Sequence, residues 1–378
     1  MSAGTGPARR TFVSIEIIRG VASLLVIYSH VVGQWLDPVH GGSWPTDAVQ
    51  SYVAEPLHVS QSFGFFGVAL FFVVSGFIVT ATGTRETVPA FAVKRLLRIY
   101  PPLVVAVLLS ALVITIGGVP LLAASDTSSG HLLASASLLN YLLVPQVIII
   151  GAAWTLVVEV AFYLLTALLL PVLRQTPVVA VVIELALVTT VVAVYKDLGA
   201  SFFLLAVSVS FLPVLVLGQL VWAVWDHRAP LWAGLVLGGT SWAIFVWAGQ
   251  RDTGRLDSSY DVAAFYAVLV LIAGLAVEGR LRRHAVWSFF SDRSYSLYLV
   301  HGAVTLPVLL SLDGRTPPAV SLVLALAATA AVVEVVLRLV ERPSQRLARA
   351  LVRRGRQRGA AASALSTAAM VEGSNNGP

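Results

Sequence analysis

The chain of 378 residues has no cysteine and very little charge. Without cysteine there is no disulfide, no thiolate nucleophile, no cysteine–zinc site and no S-acylation anchor. Only 12% of the residues are charged, against about a quarter in ordinary soluble domains. The chain also lacks a G-x-S-x-G elbow, a P-loop, an H-E-x-x-H helix and any paired-histidine spacing for a metal. Serine-hydrolase, nucleotide-hydrolysing and metal-centred chemistries therefore lack their residues. No histidine is followed five residues later by aspartate, which removes the pattern of soluble acyltransferases.

What is present is hydrophobic: 57% of the residues. A helix needs about 20 apolar residues to cross the hydrocarbon core. Ten stretches qualify, at about 13–34, 63–82, 99–117, 153–173, 177–195, 201–225, 230–248, 259–278, 287–311 and 318–340. The expected fold is all-α, a polytopic protein of the cell membrane with the lipid bilayer as its main partner. Residues 131–150 are apolar enough for a re-entrant or interfacial helix as well. The net charge of +6 does not indicate nucleic acid, because the basic residues flank spans.

Lysine and arginine set the orientation. With a cytoplasmic N-terminus, the outer segments hold only Lys196, Arg251, Arg255 and Arg315. Arg19 lies within a span, and every other one of the 25 basic residues, from Arg9 and Arg10 to the tail, falls inside. The long outer segments 35–62 and 118–152 contain no lysine or arginine. Both termini are expected to be cytoplasmic. Residues 1–343 read as the membrane domain, and 344–378 as a basic tail that begins amphipathic and ends disordered.

Polar groups inside these spans mark candidate chemistry, because an ionisable side chain there costs several kcal/mol unless paired or hydrated. On the first span Arg19 and His30 are eleven residues apart, three turns plus about 20°, so they face one way roughly 16 Å apart. Glu16, one turn before Arg19, is placed to pair with it. A helix-end ion pair and a hydrogen-bonded interface histidine would account for the same residues without chemistry. In GFFGVALFFVVSGFIVT, residues 64–80, Ser75 sits deep among glycines that read as packing devices. In WTLVVEVAFYLL, Thr155, Glu159 and Tyr163 form one stripe that begins just after Trp154. Glu159 falls near the depth of His30, so contact is geometrically permitted. In SDRSYSLYLVHGAVT, residues 291–305, Ser291, Ser294, Tyr298, His301 and Thr305 form another stripe, which a plain hydrogen-bond ladder would also explain. The basic segment 86–102 is expected as a cytoplasmic loop carrying Lys94, Arg95 and Arg98 ahead of a helix beginning near Pro101. Guanidinium forks suit phosphates, though ordinary positive-inside flanking fits too.

Taken in order, five of these stretches resemble the membrane acyltransferase-3 family. They are IIRGVASLLVIYSH, FFGVALFFVVSGF, KRLLRIYPP, WTLVVEVAFY and SYSLYLVH, followed by Glu341-Arg342-Pro343. The wording is most similar to the exopolysaccharide acetyltransferase branch. Three departures stand out. Glu16 takes the place of a common aspartate, Ala69 replaces another, and Gly302-Ala303 replaces a Trp-Pro. The resemblance implies transfer of an acyl group, acetyl first, from cytoplasmic acyl-CoA to a hydroxyl of a sugar or natural product. Acyl-CoA is then a co-substrate, with no tightly bound cofactor. On that reading Arg95, Arg98 and Arg19 hold the phosphates and His30 is the general base. Glu159 orients the imidazole, and Tyr163, Ser294 or Tyr298 donates to the thioester oxygen. Glu16, Ser75, Trp154 and His301 complete the substrate-binding set. Trp35, Asp37, His40, Trp44, Asp47 and Glu55 of the outer loop suit a sugar. The competing class is a polysaccharide-precursor transporter or flippase, for which broken helices and repeat symmetry would speak; neither is expected from the sequence.

Overall fold

Each of the ten apolar stretches forms a helix in the computed structural model, which describes residues 12–59, 63–117, 126–251, 253, 258–355 and 357. Arg9, Arg10, Arg255, Arg356 and the tail end after 357 lie outside the described residues; among the described residues no strand occurs. We number the helices α1 (Val13–Val31), α2 (Gly64–Gly83), α3 (Val88–Thr115), α4 (Trp154–Gln175), α5 (Pro177–Val194), α6 (Ala200–Val209), α7 (Leu212–Trp225), α8 (Leu231–Gly249), α9 (Ser259–Ala276), α10 (Ala285–Leu312) and α11 (Pro318–Val336). The chain is a multi-pass membrane protein.

Helix α2 is apolar on every side, so it belongs in the middle. It packs on α7, α1 and α9, while α10 packs on α1 and α11. The α2–α7 crossing is possible only through two glycines. A Cβ on Gly76 would lie 1.9 Å from the Leu215 carbonyl oxygen, and one on Gly218 would lie 1.9 Å from that of Val73. In lipid, such close backbone approach supplies the packing that the hydrophobic effect does not. Gly64 and Gly67 pack likewise on α1, at Ser29 and at Ala22 and Val26.

Glu16 does not pair with Arg19. Its carboxylate takes the Arg283 guanidinium (Nη2 to Oε1 2.8 Å, Nε to Oε2 3.0 Å) and the Ser288 hydroxyl (2.9 Å). The one-turn spacing allowed the pair, but Arg19 turns into the bundle while Glu16 meets the start of α10. A second carboxylate closes the end of α1. Glu278 accepts from the backbone N–H groups of Val13 and Ser14 at 2.6 and 2.9 Å. Helix N-termini leave such donors unpaired and favour negative charge. Glu278→Ala should therefore cost about 1 kcal/mol. The check is a thermal melt in detergent, where an unchanged midpoint would contradict this role.

Three elements differ from expectation. Helix α3 begins at Val88, not near Pro101, so Lys94, Arg95 and Arg98 ride on the helix instead of a preceding loop. Thr87-Val88-Pro89 starts it with proline in the first turn, and Pro101 and Pro102 continue inside it. Proline is tolerated within membrane helices where neighbours satisfy nearby backbone, and here the Tyr295 hydroxyl donates to the Ile99 carbonyl at 2.9 Å. The sixth span is broken between α6 and α7 at Ser210 and Phe211, ahead of Pro213. Segment 131–150 is helical only at its start: Ser129–Ala136 is followed by a single 3-10 turn, Leu139–Tyr141. Its irregular remainder is held by Asn140 on the Val147 carbonyl (3.1 Å) and by the Tyr141 hydroxyl on the Ile150 carbonyl. Beyond α11 the chain stays helical through a π turn at Leu337–Glu341 and past Pro343 to Gly355.

Candidate functional site

Helices α1, α2, α3, α4 and α10 enclose a polar cavity of about 140 Å³. Arg19, Arg95 and Arg98 line it, together with Ser75, Glu159, Tyr163, Ser294, Tyr295 and Tyr298. Each guanidinium is held differently. Arg19 donates through Nη2 to Ser294 Oγ at 2.8 Å, and Ser294 in turn donates to the Ser291 carbonyl. Arg95 donates to Thr82 Oγ1 at 2.6 Å and stacks over the rings of Phe91 and Tyr163. Among the described residues no hydrogen bond engages the Arg98 side chain. The only carboxylate lining the cavity is Glu159. Its oxygens accept from Ser75 Oγ at 2.7 Å and from the Tyr163 hydroxyl at 3.2 Å. On the cavity wall three cations face one carboxylate, with Glu341 close enough behind them to act on Arg19 and Arg98; the guanidinium of Arg98 has no hydrogen-bond partner among the described residues, and the excess of positive charge suits an anion.

A second cavity, of about 560 Å³, lies on the other side of Val68 and Tyr298, which line both. His30, Gln34, Asp37, Gln50, Trp154 and Tyr260 contribute to its wall. Behind His30 stands His301. Its Nδ1 lies 2.8 Å from the Tyr298 carbonyl and 3.2 Å from that of Leu297, and its Nε2 lies 2.8 Å from His30 Nδ1. Carbonyl oxygens only accept, so His301 carries its proton on Nδ1. Its Nε2 therefore accepts from His30 Nδ1–H, which leaves the lone pair of His30 on Nε2. A backbone carbonyl thus sets the tautomer of two imidazoles in series, the second of them on the cavity wall.

This arrangement corrects the expected role of Glu159. Helix α10 acts as a ruler, with Arg19 at Ser294, Thr155 at Tyr298 (2.9 Å) and His30 at His301. Glu159 lies one turn deeper than Thr155. It is therefore about seven residues of rise, or ~10 Å, from the level of His30. The carboxylate belongs to the arginine cavity, and the imidazole is oriented by His301 instead. Depth counted from the end of an apolar run does not give this level, because the helix of α1 does not end where its apolar run ends. It continues through the π turn Val32–Leu36 to His40.

The polar stripe of α10 is not one surface but a set of bonds to different neighbours. Ser294 meets Arg19, and Tyr298 meets Thr155 and the Ala152 carbonyl. His301 meets His30, and Thr305 meets Thr329 on α11 (2.8 Å). Of the outer-loop residues, Asp37 faces the second cavity. Trp35 does not: it is buried beside Leu309 and Ala325. His40 pairs with Asp313 at 3.2 Å, and Trp44 is 82% exposed. Sequence reasoning missed Val68, Gln34, Gln50 and Tyr260 as wall residues. None of them is a charged group in an apolar run, which was the signal followed.

Comparison with known proteins agrees with the motif order. The profile of the acyltransferase-3 family, described as an acyltransferase domain, matches residues 12–337. Nodulation protein 10 of Rhizobium leguminosarum bv. viciae is 28% identical over 337 residues, covering 76% of this chain and 81% of that protein. No solved structure matches.

Proposed function

The chain belongs to the acyltransferase-3 family and is a multi-pass membrane acyltransferase, and from that premise we propose that its donor is cytoplasmic acyl-CoA and its acceptor a hydroxyl at the outer face. The acyl group is acetyl in the first place, and the acceptor is the hydroxyl of a carbohydrate, an exopolysaccharide unit or a glycosylated natural product. One observation carries this reading: an arginine-lined cavity and a histidine-lined cavity stacked along α1 and α10, with a common wall.

The chemistry follows from the two ends. Arg98, with Arg19 and Arg95 beside it, takes the phosphates of coenzyme A. An extended pantetheine arm then runs outward along the Arg19–His30 face of α1. In the second cavity the acceptor hydroxyl gives its proton to His30 Nε2 as its oxygen attacks the thioester carbon. The C–S bond breaks, and the coenzyme A sulfur takes the proton back from His30. Products are the O-acyl ester and free coenzyme A. Charge on the imidazolium is shared toward His301, whose Nε2 accepts the His30 Nδ1–H bond.

The test is transfer from acetyl-CoA to a panel of acceptors by the protein in lipid vesicles, with coenzyme A release as readout. Arg98→Ala should raise the KM for acyl-CoA by about 10–100-fold, the loss of one charge-assisted hydrogen bond to phosphate. Release from neither enzyme on any acceptor would end the reading. A transporter would use its broken helix to line a polar path. Here the break at Phe211 is packed among Phe65, Phe72, Trp154 and Phe245 and lines neither cavity.

The donor-inside direction requires both termini in the cytoplasm, as the arginine distribution favours. A reporter active only outside should stay silent after the tail and be active when inserted near Thr127. The opposite pattern would reverse the route of the donor.

A further inference from the structure

We propose that Val68 and Tyr298 form a neck that the donor's thioester must pass, and that this neck limits the enzyme to unbranched, non-aromatic acyl groups. The inference rests on the donor-inside reading above. The anion site and the base lie in different cavities, and Val68 and Tyr298 are the two residues their walls have in common. An acyl thioester anchored by its phosphates at Arg98 reaches His30 only between them.

Both sides of the neck are pinned. The Tyr298 hydroxyl donates to the Ala152 carbonyl at 3.0 Å and accepts from Thr155 Oγ1 at 2.9 Å. The Phe71 ring stands edge-on to it at 5.8 Å. Swinging the phenol away breaks both bonds and leaves Thr155 Oγ1 and the Ala152 carbonyl only their longer 3.2 Å contact with each other. Val68, the other residue common to both walls, is β-branched and stiff at χ1. It sits beside Gly67, where α2 touches α1 so closely that a Cβ would lie 2.9 Å from the Ala22 carbonyl oxygen. Helix α2 therefore cannot retreat without separating from α1. The unbranched cysteamine and β-alanine section of pantetheine next to the sulfur fits such a passage, with the dimethyl-bearing pantoyl part staying on the arginine side. A carbon branched next to the carbonyl, or an aromatic ring, does not. The smaller volume on the arginine side, 140 against 560 Å³, places the wide end of the route with the acceptor.

The experiment compares acetyl-, propionyl-, isobutyryl- and benzoyl-CoA as donors, with kcat/KM for each and the affinity for coenzyme A itself measured alongside. Propionyl should exceed isobutyryl in the unaltered enzyme by about tenfold or more, the discrimination one methyl group gives in a fitted site. Val68→Ala should reduce that ratio about tenfold, with coenzyme A affinity unchanged. Val68→Ile should lower propionyl transfer more than acetyl transfer. Equal use of propionyl and isobutyryl by the unaltered enzyme overturns the neck, whether or not any variant folds. So does an unchanged ratio in an active Val68→Ala protein. Absence of transfer from every thioester overturns the donor reading itself, a different result from a change of preference.

Discussion

Replacing His30 by alanine removes about 10²–10⁴-fold of the transfer rate, the usual worth of a general base, and leaves acyl-CoA bound as before. Two observations separate rate from binding. His30 lines the outer cavity, whereas the guanidinium groups that take phosphate line the inner one. Its single protein bond is to His301, so alanine strands one nitrogen there and adds no charge to the membrane. The effect should thus appear in kcat, with KM for acyl-CoA and protein yield close to the parent. A variant that still turns over within about threefold of the parent would remove His30 from the chemistry, since a base lost by mutation costs at least ten times more than that.

His301→Leu should approach the same loss, although His301 lies behind His30 and is almost fully buried. Leucine removes the acceptor that holds the His30 proton on Nδ1. The ring of His30 is then free to place its proton on Nε2, where it faces the acceptor as a donor and no longer as a base. A misset tautomer of this kind costs up to about 10⁴-fold in serine proteases. The variant that distinguishes orientation from packing is His301→Gln. Its amide oxygen can again accept from Nδ1–H, so it should recover a large part of what leucine loses. Equal loss in both variants, with both folded, would mean that His301 serves packing alone. The measurement is kcat for the pair, with acyl-CoA affinity as the control that neither should move.

Glu159 shows how much of the site was legible beforehand and where legibility stopped. Its place as a charged group inside an apolar helix is legible in the residues, and so is its stripe with Thr155 and Tyr163, all three of which line the arginine cavity. Its partner is not legible there. Ser75 on α2 takes one carboxylate oxygen, and the predicted neighbour, His30, belongs to the other cavity. Glu16 repeats the lesson: the local spacing to Arg19 was favourable, and a residue 267 positions away won it. The start of α3 was readable but misread. Pro89 in the first turn is an ordinary start signal that the reading from Pro101 leaves unused.

Features that depend on short stretches of chain are legible in the residues alone. The ten spans follow from runs of apolar residues, and the ionisable groups inside them stand out against those runs. The family follows from the order of five short motifs. Which groups meet depends on how the helices pack. That packing sets Arg19 at Ser294, His30 at His301 and Glu159 at Ser75, and it divides the polar interior into two cavities at Val68 and Tyr298. The reason is axial register. A helix sliding one turn past its neighbour keeps its own pattern and hydropathy, yet exchanges every cross-helix partner. That offset is set by contacts such as the Gly76–Gly218 crossing, where two backbones touch and only one alignment fits.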